Sequence, residues 1–248
     1  MSVTYSPVVL VHGAWHGGWC FHKVVDALHE LGVQVFAPDL PGHGSDTSPF
    51  GDLAADAARV RSVLADLDGP VVLLGHSYGG LVISEAASDP ATAQRIRRLV
   101  YLCAVVTEPG KKFFDVPADH SRSLLGPLIV MGDDGLSTID VSDLAAAKAA
   151  FFADCSDDDV AYAAQKLCKQ PMGNLASAVS GDPLSTIPAT YVRCTQDRAM
   201  PIEVQDALIA SALTTALALD SLTLASSHSS FFSMPSVLAD QLAALARR

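Results

Sequence analysis

Short, wholly apolar runs alternate along the first half of the chain with stretches whose apolar residues recur every third or fourth position. The first kind fits strands buried on both faces and the second fits amphipathic crossover helices, so the pattern predicts a parallel sheet. Pro7 to Val11 is the first strand, ending in the glycine-containing turn His12-Gly13-Ala14. A helix is predicted from Cys20 to Leu31, where Val24, Val25, Leu28 and Leu31 recur at helical spacing before Gly32 stops it. Gln34 to Ala37 reads as the next strand, and a loop rich in glycine, proline and serine follows from Pro38 to Gly51. An Ala-rich helix from Leu53 to Leu67, a strand from Pro70 to Leu74, a helix from Gly80 to Ser88 and a strand from Arg98 to Val106 complete this half.

Between Thr107 and Thr186 the rhythm changes: β-type runs are scarce, and Val141 to Ala153 and Asp157 to Lys169 read as Ala-rich helices. The sheet resumes with Ala189 to Cys194, a helix opened by Pro201, a last strand within Ala216 to Leu224 and a closing helix from Pro235 to Arg248. The predicted fold class is α/β: a mostly parallel, doubly wound sheet with a helical cap inserted before the penultimate strand. Residues 1–106 and 187–248 form the core and 107–186 the cap, all within one domain, which suits a chain of 248 residues.

Composition narrows the function. Half of the residues are hydrophobic and 17% are charged, which excludes disorder. Sixteen Lys and Arg against 27 Asp and Glu leave a net charge of −11, so no footprint for nucleic acid or anionic membranes is expected and the partner is a small molecule. No run approaches the ~20 apolar residues of a membrane span, and Met1 to Ser6 lacks the basic region of a secretory signal, so a cytoplasmic location is expected. Five widely spaced cysteines without a C-x-x-C pair argue against disulfides or a zinc site and read as small buried hydrophobes. A homodimer is left open.

The strand Pro70 to Leu74 runs straight into Gly75-His76-Ser77-Tyr78-Gly79-Gly80. A serine at a sharp strand-to-helix turn needs a strained backbone, and glycine two positions to either side relieves crowding against the neighbouring strand and helix. Ser77 is therefore the predicted nucleophile. Its hydroxyl needs a base, and the base an orienting acid. Hydrolases with this turn order their triads serine, acid, histidine, which leaves His120 and His228. His120 falls in the cap and reads as solvated, whereas His228 lies in the loop Ser226 to Ser230 between the last strand and last helix and is the predicted base. Among Asp197, Asp220 and Glu108, Asp197 directly follows the strand Ala189 to Cys194, where ligand-binding loops of a parallel sheet cluster, and is the predicted acid.

Charge on a carbonyl oxygen in acyl transfer calls for two backbone donors. The amide of Tyr78 is one, and Ala14 in the early turn is the expected second, with Gly13 permitting close approach. His12 and His16 are spaced like a helical metal pair, but Gly13, Gly17 and Gly18 oppose a helix, so no metal site is read there.

The blocks Val8 to Cys20, Ala37-Pro38-Asp39-Leu40-Pro41-Gly42-His43-Gly44, Gly75 to Gly80, Tyr191 to Asp197, and Ser227-His228-Ser229 with Phe231-Phe232-Ser233 together resemble the α/β-hydrolase superfamily. Within it they look most like the branch of plant methylesterases, salicylate-binding methylesterases, hydroxynitrile lyases and related bacterial esterases. The resemblance implies a cofactor-free enzyme with Ser77, Asp197 and His228 as triad and Ala14 and Tyr78 as oxyanion donors. The lyases of this branch carry a lysine after the triad histidine and a threonine in the early turn, where this chain has Ser229 and Gly13. Without that cation, developing cyanide loses its stabilisation. The expected activity is hydrolysis of a small or medium apolar carboxylic ester. Lyase, lactone or amide chemistry is the alternative, as is a non-catalytic receptor on the same fold. Gly13, Trp15, Phe151 and Phe152 are the expected substrate contacts, drawn from a wider apolar set that includes Phe113, Phe114, Leu124, Tyr162 and Met172. Lys111 and Lys112 read as a solvated pair.

Overall fold

The computed structural model describes residues 4–247; Met1 to Val3, the start of the stretch read against a leader, and Arg248, the expected end of the last helix, lie outside the described residues. The strands in chain order are β1 (Val8–Val11), β2 (Val35–Phe36), β3 (Val71–His76), β4 (Ile96–Leu102), β5 (Ile129–Met131), β6 (Leu136–Ile139), β7 (Gln170–Pro171), β8 (Ala189–Cys194) and β9 (Leu219–Leu224). Six of them form one sheet in the order β2-β1-β3-β4-β8-β9. Every neighbouring pair is parallel, and β1, β3 and most of β4 and β8 are buried, as their unbroken apolar runs require.

The helices are α1 (His22–Glu30), α2 (Leu53–Ala65), α3 (Gly79–Ala87), α4 (Pro90–Ala93), α5 (Leu144–Phe151), α6 (Asp157–Ala164), α7 (Met172–Leu175), α8 (Ile202–Ala212), α9 (Ser230–Ser233) and α10 (Pro235–Ala246). α1 packs on α10 and α2 on α3, which gives the sheet its flanking helical layers. Caps fix several starts: Asp52, Asp143 and Ser156 accept amide hydrogens of the first turns of α2, α5 and α6.

The chain leaves β1 for β2 on one side and then crosses to β3 on the other, so strand order reverses between β1 and β3. In open α/β sheets the crevice beyond the carboxyl ends at such a reversal is where ligands bind. His12-Gly13-Ala14 leaves β1 there, and Ser77 leaves β3 beside it.

The inserted segment differs from the all-helical expectation. Besides α5 to α7 it holds an antiparallel sheet in the order β5-β6-β7. Its runs, Ile129-Val130-Met131 and Leu136 to Ile139, are too short to give a period-two signal, although the turn between them carries Asp134-Gly135, with Gly135 at φ +76°. The helix expected from Cys20 opens instead as a 3₁₀ turn, Gly18–Phe21. Among the described residues no helix is long and apolar enough to cross a membrane.

Candidate active site

Ser77 sits at φ +52°, in the left-handed region that a side chain enters only under constraint. The constraint is visible on every side. The Ser77 amide donates to Leu102 O at 3.2 Å, and its carbonyl accepts from Gly80 and Val105 amides, each at 3.0 Å. A β-carbon on Gly75 would stand 2.3 Å from Gly79 O, and one on Gly79 2.6 Å from Val11 O. Glycine at these positions is a steric requirement of the turn.

His228 lies in the loop after β9, its Nδ1 2.6 Å from Oδ2 of Asp197 in the loop after β8. The Asp197 carboxylate has no exposed side-chain surface. Its Oδ1 accepts the amides of Ala199 and Met200, both at 2.8 Å, so the loop's own backbone fixes it. Gln205 backs it from α8, with Nε2 donating to Cys194 O and Met200 O and lying 3.5 Å from Asp197 Oδ2. The His228 carbonyl accepts from Nε2 of His76 at 3.0 Å and faces Sγ of Cys103 at 3.5 Å. The rival acids are engaged elsewhere: Glu108 pairs with Lys111 at 2.8 Å and Asp220 with Arg98 at 3.0 Å.

Neutral imidazoles frame the early turn. Nδ1 of His12 donates to Gly13 O at 2.9 Å, while its Nε2 accepts the Leu40 amide at 3.1 Å. Burial lowers its pKa to about 3, and burial lowers that of His16 to about 4. Among the described residues no hydrogen bond takes up the amide of Ala14 or of Tyr78; the Ala14 carbonyl accepts from His16 Nδ1 at 2.7 Å. Gly13 is held against the elbow, where a β-carbon would stand 2.8 Å from the Ser77 Cβ.

A cavity of about 230 Å³ opens over Ser77 and His228. Trp15 and Val105 wall it from the sheet edge, Met172 and Leu175 from α7, and Ala199 and Met200 from the loop beyond β8. Phe113, Phe114, Leu125, Ile129 and His120 close it from the insert. His120, read from sequence as solvated, therefore faces the cavity, with its ring 5.2 Å from that of Phe113. Nothing in the local pattern signals this, because a loop has no period from which to read a face. Phe151 and Phe152 are not among the lining residues; both are buried against His16, and the Phe151 ring stands 5.8 Å from that of His228. Tyr162 packs on Trp19, and Leu124 is exposed.

Among proteins of known activity, a pyrethroid hydrolase of Sphingobium wenxiniae is 32% identical over 97% of this chain and 88% of its own length. A carbendazim hydrolyzing esterase of a Nocardioides species is 42% identical over a shorter stretch, 41% of this chain, and the match spans less than half of that relative, 43% of its length. The crystal structure of a pyrethroid hydrolase from Sphingobium faniae superposes with a TM-score of 0.82 at 29% identity, covering 97% of both chains. The model of the alpha/beta hydrolase family matches residues 8–241, and the chain belongs to that family.

Proposed function

We propose that this protein is a serine carboxylic ester hydrolase with Ser77 as nucleophile, His228 as base, Asp197 as orienting acid and the amides of Ala14 and Tyr78 as oxyanion donors. The observation that carries this reading is the meeting, in one cavity, of Ser77 at φ +52° and His228, whose Nδ1 stands 2.6 Å from Asp197. Relatives named as esterases and hydrolases support it.

In the reaction, Ser77 Oγ gives its proton to Nε2 of His228 as it attacks the ester carbonyl, and the C–O double bond opens onto the oxygen held by the two amides. Collapse of that oxyanion breaks the ester C–O bond, and His228 returns the proton to the leaving alcohol. Water then attacks the acyl-enzyme with His228 again as base, releasing the acid and restoring Ser77. Asp197, already holding the Nδ1 hydrogen, keeps Nε2 free to take the proton.

The cavity's walls select the substrate. They are almost wholly apolar, so a small or medium apolar ester is favoured over a charged one. Segment 107–186 acts as the cap over a core of the described residues 4–106 and 187–247. Free cysteines at Cys20, Cys103, Cys155, Cys168 and Cys194 fit a reducing compartment, and the cytoplasm is the corresponding location.

A panel of p-nitrophenyl esters, a lactone, an anilide and a cyanohydrin tests the reading. Turnover of the esters that vanishes in Ser77→Ala is expected. Cyanohydrin cleavage as the main activity would overturn it, as would ligand binding without turnover.

A further inference from the structure

Each candidate oxyanion donor is tied to the cap by its own chain of buried hydrogen bonds. The first starts at Tyr78, whose buried hydroxyl donates to Oδ2 of Asp56 on α2 at 2.6 Å. The same oxygen faces Nδ2 of Asn174 at 3.3 Å, and that amide also donates to Gly51 O at 2.9 Å. Asn174 lies in α7 between Met172 and Leu175, two walls of the cavity. The anchor of one donor and a wall of the pocket thus meet at one buried carboxylate.

The second chain starts at Trp15, the residue after Ala14, held at φ +62°. Its Nε1 hydrogen goes to Ser137 Oγ on β6 at 3.0 Å, and Ser137 donates to Gln170 O on β7 at 3.0 Å. The Trp15 carbonyl accepts the Cys168 amide, two residues before β7, at 2.9 Å, so the turn carrying Ala14 is held to the cap from side chain and backbone. Ser137, Gln170, Asn174 and Asp56 are all buried. Hydrogen bonds in such surroundings are stiff and costly to leave unmade. Ser137 uses its hydroxyl both as acceptor and as donor, which fixes its place.

We propose that Asn174, Asp56 and Ser137 are positioning residues through which the seated cap sets the geometry of both oxyanion donors. The inference rests on the ester-hydrolase reading and adds a coupling to it. An ester packed against Met172, Leu175 and Trp15 presses on the elements that hold the donors, so its binding energy appears in kcat rather than in KM.

The test compares Asn174→Ala, Ser137→Ala and the double variant with Ser177→Ala, which removes a bond to Gly173 O near α7 but outside both chains. kcat and KM are measured separately on p-nitrophenyl acetate and p-nitrophenyl hexanoate, with the rate of fluorophosphonate labelling and a thermal melt. Since deleting one oxyanion donor costs about 10²–10³ in kcat, loosening one is expected to cost about tenfold at unchanged KM. Independent anchors make the double variant lose about a hundredfold, with Ser177→Ala unaffected. Unchanged kcat, a loss confined to KM, or equal kcat losses in Ser177→Ala would each overturn the coupling. A labelled and active wild type with unchanged variants refutes only this coupling. A wild type that neither labels nor turns over refutes the ester-hydrolase reading and the coupling with it.

Discussion

A β-carbon placed on Gly13 would stand 2.8 Å from the β-carbon of Ser77 and 2.9 Å from Nδ1 of His76. The turn after β1 and the elbow after β3 are therefore in contact, and only glycine leaves room between them. Gly13→Ala displaces one turn from the other and with it the Ala14 amide. A fall in kcat of about a hundredfold or more is expected, together with a loss of stability of about 1–3 kcal/mol from the overpacking, read by steady-state kinetics beside a thermal melt. Full activity in Gly13→Ala would show that the Ala14 turn plays no part in the reaction.

Asp197 accepts the amides of Ala199 and Met200 and holds Nδ1 of His228. Asp197→Asn keeps the size but favours an imidazole whose Nε2 carries the hydrogen, and kcat is expected to drop by about 10⁴-fold. Glu108→Gln and Asp220→Asn loosen ion pairs with Lys111 and Arg98 that are at least partly exposed, and in Glu108→Gln also the bond from Ser211 Oγ, all away from Ser77, and each keeps activity within about twofold. Equal losses in all three would refute the assignment of the acid.

Acid lability follows from buried histidines. Burial holds His12 at about 3 and His16 at about 4, and it drives His76 well below its ordinary value. A depressed folded-state value means that stability present above about 6.5 is lost as pH falls towards the folded value. Asp56 has the opposite sign: burial raises it to about 6, so its contribution is full in acid and lost as pH rises through that value. Between pH 6 and pH 4 three histidines oppose one carboxyl, so the net contribution of these four groups to stability falls as the pH falls. Urea melts at pH 4, 5 and 6 read the slope, which Asp56→Asn steepens. Stability that rises on acidification would contradict this balance.

The centre of the sheet was legible because β1 and β3 are buried along their whole length and run as Val8 to Val11 and Val71 to Leu74 without a polar residue. Ala189 to Cys194 is a strand with those bounds. β4 starts earlier than its apolar run, since Arg97 and Arg98 hide its first residues, with Arg98 turned to Asp220 and Thr190. Ser77, His228 and Asp197 were readable as candidates because each follows a strand at one edge of the sheet. The cap was not: β5 and β6 are three and four residues long, and His120 enters the cavity from a loop whose path depends on contacts distant in sequence. Phe151 and Phe152 showed the converse, two aromatic residues whose apolar character suits a core as well as a pocket.

Leu175 offers a handle on substrate size. Leu175→Trp fills part of the cavity of about 230 Å³ while leaving Ser77 accessible. Hydrolysis of a p-nitrophenyl hexanoate is expected to lose at least about tenfold in kcat/KM relative to the acetate. Parallel losses for both esters would place the acyl group elsewhere.

Activation of Ser77 is the centre of the account, and intact mass after treatment with a fluorophosphonate reads it most directly. A single adduct on the parent protein, absent in Ser77→Ala and formed far more slowly in His228→Ala and Asp197→Asn, is the predicted result. No adduct, or one that persists in Ser77→Ala, would contradict it.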